Sequence, residues 1–413
     1  MAVETFKLIK DRGFYYQCTN PQGVEKKLSA SKAVCYVGFD LTAKSLHVGS
    51  LLPIMLVRHL LNSGNKVIIL FGGATTKIGD PSGRDKTRQI LSKEQIEANK
   101  AGIKNVLNKF FDINSVTFVD NDDWLKDLNY LDFIRDVGRH FSINQMLSYE
   151  SVKRRLDREQ NLSFIEFTYM ILQAYDFHHL AEEYGCNLQI GGSDQWGNIV
   201  NGIELHRKLK PGSEDLIGLT TELLATSDGK KMGKSEAGAI WLDSELLSPY
   251  EYYQYWRNIS DLDTIKFIKL FTEIDLEQVD ELAKLAGSEL NKAKSILAYE
   301  ATKICHGEKL AEDARNTSEK VFAEGLSDDN LPKITISEND LAEGMTFSAL
   351  IAKAELVDSR SSAKRIIQGG GGRIDNESFN DPKMLITKDH FKNKIIKISA
   401  GKKKHSLVEL NLR

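Results

Sequence analysis

Ala33-Val34-Cys35-Tyr36-Val37-Gly38-Phe39 is an apolar run that leads, through Asp40 and a short loop, into His47-Val48-Gly49-Ser50 and then Leu51-Leu52-Pro53-Ile54-Met55-Leu56. The run reads as a buried β-strand, and Leu46, Leu51, Leu52, Met55, Leu56 and Leu60 recur as the apolar face of a helix. Where a strand hands over to a helix N-terminus, phosphate binds well. The first backbone N–H groups have no partner inside the helix, and the helix dipole favours an anion at that end. Gly49 lets a nucleotide approach the backbone closely. Outward from this stretch the rhythm repeats: β-like runs at 33–39, 67–73, 115–119 and 187–191 alternate with helical stretches at 46–63, 93–111, 164–184 and 195–209. The alternation predicts an α/β fold, a Rossmann-like, doubly wound parallel sheet with its ligands at the carboxyl ends of the strands.

Composition agrees with a globular chain of several domains: 413 residues, 41% apolar and 27% charged. The net charge of −3 conceals an asymmetry. Residues 344–413 hold 14 Lys+Arg against 7 Asp+Glu, a local +7, which leaves −10 for the rest. Such a basic tail suits a polyanion. Cys18, Cys35, Cys186 and Cys305 are widely spaced, with no Cys-x-x-Cys and no Cys/His cluster. Neither a disulfide framework nor a metal site is expected, and reduced thiols in the cytoplasm are. Apolar runs such as 67–71 fall far short of the about 20 residues of a spanning helix, and the N-terminus lacks a signal-peptide core. Neither export nor a membrane segment is expected.

A second string, Thr226-Ser227-Asp228-Gly229-Lys230-Lys231-Met232-Gly233-Lys234-Ser235, is a polar loop with clustered lysines suited to the charge that develops on a departing pyrophosphate. Paired with the strand-end His-x-Gly, it describes an ATP site that activates an acid as its adenylate. The expected organisation is a catalytic domain at 1–225, the lysine loop with an all-helical domain at 226–323, a linker at 324–343 and a small α+β basic domain at 344–413. Pro249 suits the first turn of a helix, and a short strand is expected near Ile334.

Tyr36-Val37-Gly38-Phe39-Asp40, His47-Val48-Gly49-Ser50, Gly79-Asp80-Pro81-Ser82-Gly83, Leu188-Gln189-Ile190-Gly191-Gly192-Ser193-Asp194-Gln195-Trp196-Gly197-Asn198 and Lys231-Met232-Gly233-Lys234-Ser235 occur in a fixed order. That order resembles the bacterial-type tyrosyl-tRNA synthetases, class I aminoacyl-tRNA synthetases, over nearly the whole chain. The resemblance implies a tyrosine–tRNA ligase. Such an enzyme activates L-tyrosine with ATP, carried with Mg²⁺, to tyrosyl-adenylate and pyrophosphate, then transfers the tyrosyl group to the 3′-terminal ribose of tRNA(Tyr). By the same resemblance Thr42 and His47 would stabilise the ATP phosphates during the reaction, and Lys231, Lys234 and Ser235 the pyrophosphate. Gly38, Asp40, Gly49, Ser50, Gly192, Asp194 and Met232 would complete the ATP site, without a resident metal. Tyr36 and Asp176 would hold the phenolic hydroxyl and Asp80, Tyr169 and Gln173 the ammonium, with Gln189 and Gln195 closing the pocket.

Tyr169, Gln173 and Asp176 recur at i, i+4 and i+7, so one helical face offers all three. Such a stripe is either a ligand surface or a set of polar groups satisfied within the protein. Three positions depart from the family pattern: Ser50 stands where His or Asn is common, Leu41 replaces a usual proline, and Gly233 stands where many synthetases have serine. In the tail, Arg360, Lys364 and Arg365 precede a glycine run, 369–372, in an arrangement resembling a small RNA-binding module of a ribosomal protein and of pseudouridine synthases. Lys153-Arg154-Arg155 and Arg207-Lys208 are further candidate tRNA contacts, or ordinary exposed charge. The family implies a homodimer, with 128–141 as the expected contact. The competing reading is a catalytically inactive RNA-binding paralogue.

Overall fold

The computed structural model describes residues 5–80, 91–158, 162–227, 232–235, 238–323, 331–375, 377–391, 394–401 and 404–411. The chain forms two compact units, Met1–Met232 with Ile265–Lys284, and Gly233–Thr264 with Leu285–Arg413. The first holds strands β1 (Gln17–Cys18), β2 (Val34–Asp40), β3 (Lys66–Gly72), β4 (Val116–Asp120), β5 (Leu188–Gly192) and β6 (Ile217–Thr221). They lie in the order β1-β6-β5-β2-β3-β4, parallel throughout except for β1, which is antiparallel to β6. Strands covered by helices on both faces read as unbroken apolar runs, and every residue of β3 after Lys66 is buried.

The four expected strands are present within a residue of the runs that announced them, and they alternate with helices Leu51–Asn62, Lys93–Leu107, Phe164–Tyr184 and Trp196–Leu209. The helix expected from Leu46 begins at Leu51, because Val48–Ser50 forms a 3₁₀ turn capped by His47. Helix Phe164–Tyr184 starts where Ser163 and Glu166 cap one another and stops at Gly185, whose φ of 65° a side chain would disfavour. From β2 the chain passes to β3 and β4 on one side and later to β5 and β6 on the other. The carboxyl ends of β2 and β5 therefore flank a topological switch point, the crevice where open α/β sheets bind ligands.

Residues 265–284, grouped by sequence with the later helices, belong to the first unit. Arg12 explains it: its guanidinium donates to the carbonyls of Lys269 (3.1 Å), Thr272 (2.9 Å) and Ile274 (2.8 Å). Arg58 adds a two-pronged ion pair to Glu273 at 2.6 and 2.7 Å.

The second unit contains a short hairpin, β7 (Lys234–Ser235) and β8 (Gly238–Ala239), then helices Pro249–Arg257, Leu290–His306 and Glu308–Ala323. Pro249 occupies the first turn as expected, behind a reciprocal Ser248–Glu251 cap. A five-stranded sheet follows, built from β9 (Lys333–Ser337), β10 (Gly372–Ile374), β11 (Glu377–Ser378), β12 (Ile395–Ala400) and β13 (Lys404–Asn411), in the order β11-β10-β12-β13-β9. Phe347, Leu350, Ile367, Ile396, Ile398 and Val408 form its core. The strand near Ile334, inside the stretch that reads as a linker, is an edge of this sheet and runs parallel to β13. Among the described residues no helix is long and apolar enough to cross a membrane. All four cysteines are free.

Candidate active site

The carboxyl end of β2 supplies the nucleotide side. His47 Nδ1 accepts from the Gly49 backbone N–H at 3.0 Å, so the neutral ring carries its proton on Nε2 and presents that nitrogen as a donor. A Cβ on Gly49 would fall 2.6 Å from the His47 ring and 3.1 Å from the Met232 carbonyl. The lysine string therefore passes, at Met232, directly against the glycine of the first motif. Gly38 lies exposed within the central parallel strand, and an added Cβ would meet nothing closer than 3.9 Å. A hole in the middle of an otherwise buried strand is a place for a ligand. Across the switch point, Gly192 ends β5 and Asp194 lies in the turn Ser193–Gln195. A Cβ on Gly192 would lie 2.7 Å from the Asp194 carboxylate.

Two hydrogen-bonded arcs make the other side. In the first, Gln195 Nε2 donates to Asp80 at 2.8 Å, and Asn198 Nδ2 donates to both Gln195 (3.1 Å) and Gln173 (2.8 Å). Gln189 Nε2 donates to the Tyr36 hydroxyl at 2.6 Å, while Gln189 Oε1 is buried without a partner. In the second arc Asp176 accepts from Trp124 Nε1 at 2.8 Å and from Asn121 Nδ2 at 3.0 Å. Asn121 reaches on to Thr75 (3.0 Å), and Thr75 (3.4 Å) and the Tyr169 hydroxyl (3.3 Å) both donate to Asp40. Asp40, expected with the nucleotide, is thus bonded to Tyr169, expected with the ammonium. Each member of the stripe on helix Phe164–Tyr184 has a partner within the protein, Tyr169 on Asp40, Gln173 on Asn198, and Asp176 on Asn121 and Trp124, so the orphaned buried acceptor is Gln189 Oε1 on β5.

Burial pushes the Asp176 carboxyl up to about 7, against the pull of Asn121 and Trp124, with the charges of Asp40 and Asp120 adding to the rise. Burial also raises the Tyr36 phenol well above its ordinary value, and the nearby Asp176 charge raises it further. Tyr36 is therefore a neutral hydroxyl whose oxygen Gln189 already occupies, which leaves its proton as the group it offers. Beside it stands an acceptor carboxylate. Together they match a ligand hydroxyl that both donates and accepts.

Residues 28–323 match the family of tRNA synthetases class I (W and Y). A tyrosine–tRNA ligase of Wolbachia sp. subsp. Brugia malayi is 50% identical over 408 residues, 97% of each chain. One from Nitrobacter winogradskyi is 50% identical over 405 residues. The chain belongs to the class I tRNA synthetases, in the bacterial-type tyrosyl branch. Among solved structures, a C-terminally truncated mitochondrial tyrosyl-tRNA synthetase of Aspergillus nidulans superposes with a TM-score of 0.69 at 29% identity, over 77% of this chain and 94% of that one. A tyrosyl-tRNA synthetase from Archaeoglobus fulgidus, complexed with L-tyrosine, shares the fold at a TM-score of 0.54 and 20% identity.

Two of this synthetase's departures from its family have local causes. The Leu41 N–H donates to Thr76 Oγ1 at 2.7 Å, a bond that proline lacks. Gly233 has a φ of 95°, which glycine adopts freely and serine does not. Ser50 makes no side-chain cap bond and leaves the first helical turn to backbone donors. Thr42 is half-buried just past β2. Lys231 lies outside the described residues, and so do the side chains of Arg154, Lys234 and Ser235. Of the candidate tRNA contacts, Lys153 is exposed, while Arg155, expected beside it, is buried against Glu166 at 3.4 Å and is withdrawn as an exposed cation. Arg207 pairs with Glu204 (2.6 Å) and Asp215 (3.3 Å), and Lys208 donates to the His140 carbonyl at 2.7 Å. Arg360, Lys364 and Arg365 stand exposed on helix Arg360–Gln368, above buried Ala363 and Ile367.

Sequence reasoning missed Asn121, Trp124 and Asn198 as site residues. The available signal was position, since Asn121 and Trp124 immediately follow the carboxyl end of β4. It also missed the support behind the β2 loop. Helix Lys93–Leu107 reaches it through Asn99 Nδ2, which donates to the Leu41 carbonyl at 2.8 Å, and through Gly102, where a Cβ would overlap the Lys44 carbonyl. Exposed helix positions gain about 1 kcal/mol from glycine to alanine, but here the added carbon meets backbone. Gly102→Ala is expected to lower Tm and, by displacing the loop that carries Thr42 and His47, to lower kcat for pyrophosphate exchange. A thermal melt and an exchange assay on the variant check both.

Proposed function

We infer that this chain is a cytoplasmic tyrosine–tRNA ligase that carries out both half-reactions on one site. The tyrosine carboxylate attacks the α-phosphorus of ATP, the bond to the bridging oxygen breaks, and pyrophosphate leaves with the electron pair. A terminal ribose hydroxyl of tRNA(Tyr) then attacks the carbonyl carbon of the adenylate, and AMP leaves. ATP arrives with Mg²⁺ on its phosphates as a co-substrate.

The observation that carries the reading is two buried polar groups, the Asp176 carboxylate held by Trp124 and Asn121 and the Tyr36 hydroxyl held by Gln189, with the Asp176 charge near enough to act on the phenol. A substrate phenol donates to the first and accepts from the second. Phenylalanine would leave the Tyr36 proton and the remaining lone pairs of the Asp176 carboxylate unmatched by the ligand, and an indole N–H can only donate. Asp80, Tyr169 and Gln173 hold the ammonium, with Gln189 and Gln195 completing the site. His47 Nε2 and the backbone N–H groups of the first turn face the phosphates, where their fixed dipoles meet the growing charge of the five-coordinate phosphorus. Lys231, Lys234 and Ser235 are the groups assigned to the charge on the pyrophosphate, as the family resemblance implies.

The same reading takes the helices of 249–323 as the anticodon side and the basic 344–413 domain as a second RNA contact, through Arg360, Lys364 and Arg365. Homodimerisation is supported by exposed apolar side chains along the expected contact, Tyr130, Leu131 and Ile134, continued by Ile143, Phe164 and Ile165. Buried or half-buried free thiols fit a reducing compartment.

Tyrosine-dependent exchange of labelled pyrophosphate into ATP, without tRNA and with tryptophan and phenylalanine as controls, tests the reading. Exchange with tyrosine alone is expected. No exchange from folded protein would put the RNA-binding paralogue first. Lys234→Ala is expected to slow exchange by about 10²-fold, with tyrosine affinity and RNA binding kept. Unchanged exchange in that variant would remove the loop from the mechanism.

A further inference from the structure

One cluster of metal-ligating side chains plays no part in the site described above. His178 and Glu182, four residues apart on helix Phe164–Tyr184, share a face of that helix. His206 comes from the last turn of Trp196–Leu209, packed alongside. The Nδ1 atoms of the two histidines are 3.0 Å apart, and one ligand atom from each of the three residues lies within 4.8 Å of the others. We propose that His178, Glu182 and His206 form a binding site for one Zn²⁺-class transition-metal ion that clips these two helices together.

The geometry is close to what such an ion needs. Zn–N bonds of about 2.0–2.1 Å place two ligating nitrogens about 3.3 Å apart in a tetrahedron, a small opening of the present pair. Two neutral imidazoles facing each other through Nδ1 share a single proton, one donating and one accepting. An ion between the rings takes a lone pair from each Nδ1, the donating ring moving its proton to Nε2. The Glu182 side chain is 32% exposed, so it can turn to close the remaining distance. A cation already sits on it, the Lys210 ammonium. A divalent ion would displace that lysine and leave its fourth position to water. Two imidazoles and one carboxylate select Zn²⁺, Co²⁺ or Ni²⁺ over Mg²⁺ and Ca²⁺, which prefer all-oxygen shells.

The clip joins the helix that carries Tyr169, Gln173 and Asp176 to the one that carries Asn198, yet the proposal does not depend on the function assigned to them. The test reads binding rather than activity. The full chain, stripped with chelator and dialysed, is titrated with Zn²⁺ by calorimetry and with Co²⁺ by visible absorption. One ion per chain is expected, with the intense d–d bands of a tetrahedral site and a rise in Tm on adding Zn²⁺. Glu182→Gln, at an exposed position where folding is safe, is expected to weaken affinity by about tenfold or more, as even the loss of an outer-shell partner does. Lys210→Ala, which removes the competing cation, should strengthen it. A cobalt spectrum with thiolate charge-transfer bands, or affinity unchanged in both Glu182→Gln and His206→Gln, would overturn the proposal.

Discussion

Asp176→Ala is expected to lower kcat/KM for tyrosine in pyrophosphate exchange by about 10³-fold, through a lost charged hydrogen bond of about 1.5–3 kcal/mol and a further 1–3 kcal/mol for buried donors left unpaired. Those donors are Trp124 Nε1 and Asn121 Nδ2, both aimed at the carboxylate. The residue also sets a pH dependence. Its folded pKa, raised by burial to about 7, lies above the ordinary carboxylate range, so the folded free enzyme holds this proton more tightly than the unfolded chain does. The stability contributed is fully present below about pH 4, is lost as pH rises towards 7, and is level above that. Bound tyrosine has the opposite preference, because its phenol donates to the ionised carboxylate. Tyrosine affinity should therefore fall as pH drops from 8 to 6, and Asp176→Asn should flatten that slope. A pH series of equilibrium binding on both proteins decides it: the same slope in the variant would take Asp176 out of the phenol site.

Gly38→Val is expected to be as damaging to catalysis and nearly silent in stability. A valine in the central strand has favourable β-propensity, worth up to about 1 kcal/mol, and its Cβ meets nothing closer than 3.9 Å in the free protein. The added methyl groups would project into the space where a ligand lies. Displacement of reacting groups by about 1 Å can cost about 10²-fold, and a branched side chain imposes more, so a loss of about 10³-fold in kcat/KM is expected with Tm almost unchanged. Near-normal exchange in a well-folded variant would show that nothing binds over this strand.

Trp124 shows why part of the site could not be read from sequence. Nothing in its neighbours gives a period or a motif, and it matters only because β4 ends beside helix Phe164–Tyr184, which brings its indole N–H to Asp176. Asn198, by contrast, closes a string whose other members the sequence singles out, yet its link to Gln173 joins two helices and has no local signature. Arg12 and the 265–284 segment make the same point for the fold. A buried guanidinium that binds three carbonyls some 260 positions away is invisible to any window along the chain.

The sequence by itself determined the alternation of strands and helices and the first-turn place of Pro249, while its resemblance to the family singled out the residues expected at the tyrosine and ATP sites. The alternation and the proline follow from short-range rules, since period and backbone freedom act over a few residues. Only the tertiary structure decided that Asp40 and Tyr169 share a bond, that Arg155 is buried, that β9 pairs with β13, and that His178 and His206 meet. Those depend on which elements the crossovers bring together, and on burial, which changes the protonation and hydrogen bonding of a side chain according to neighbours distant in sequence.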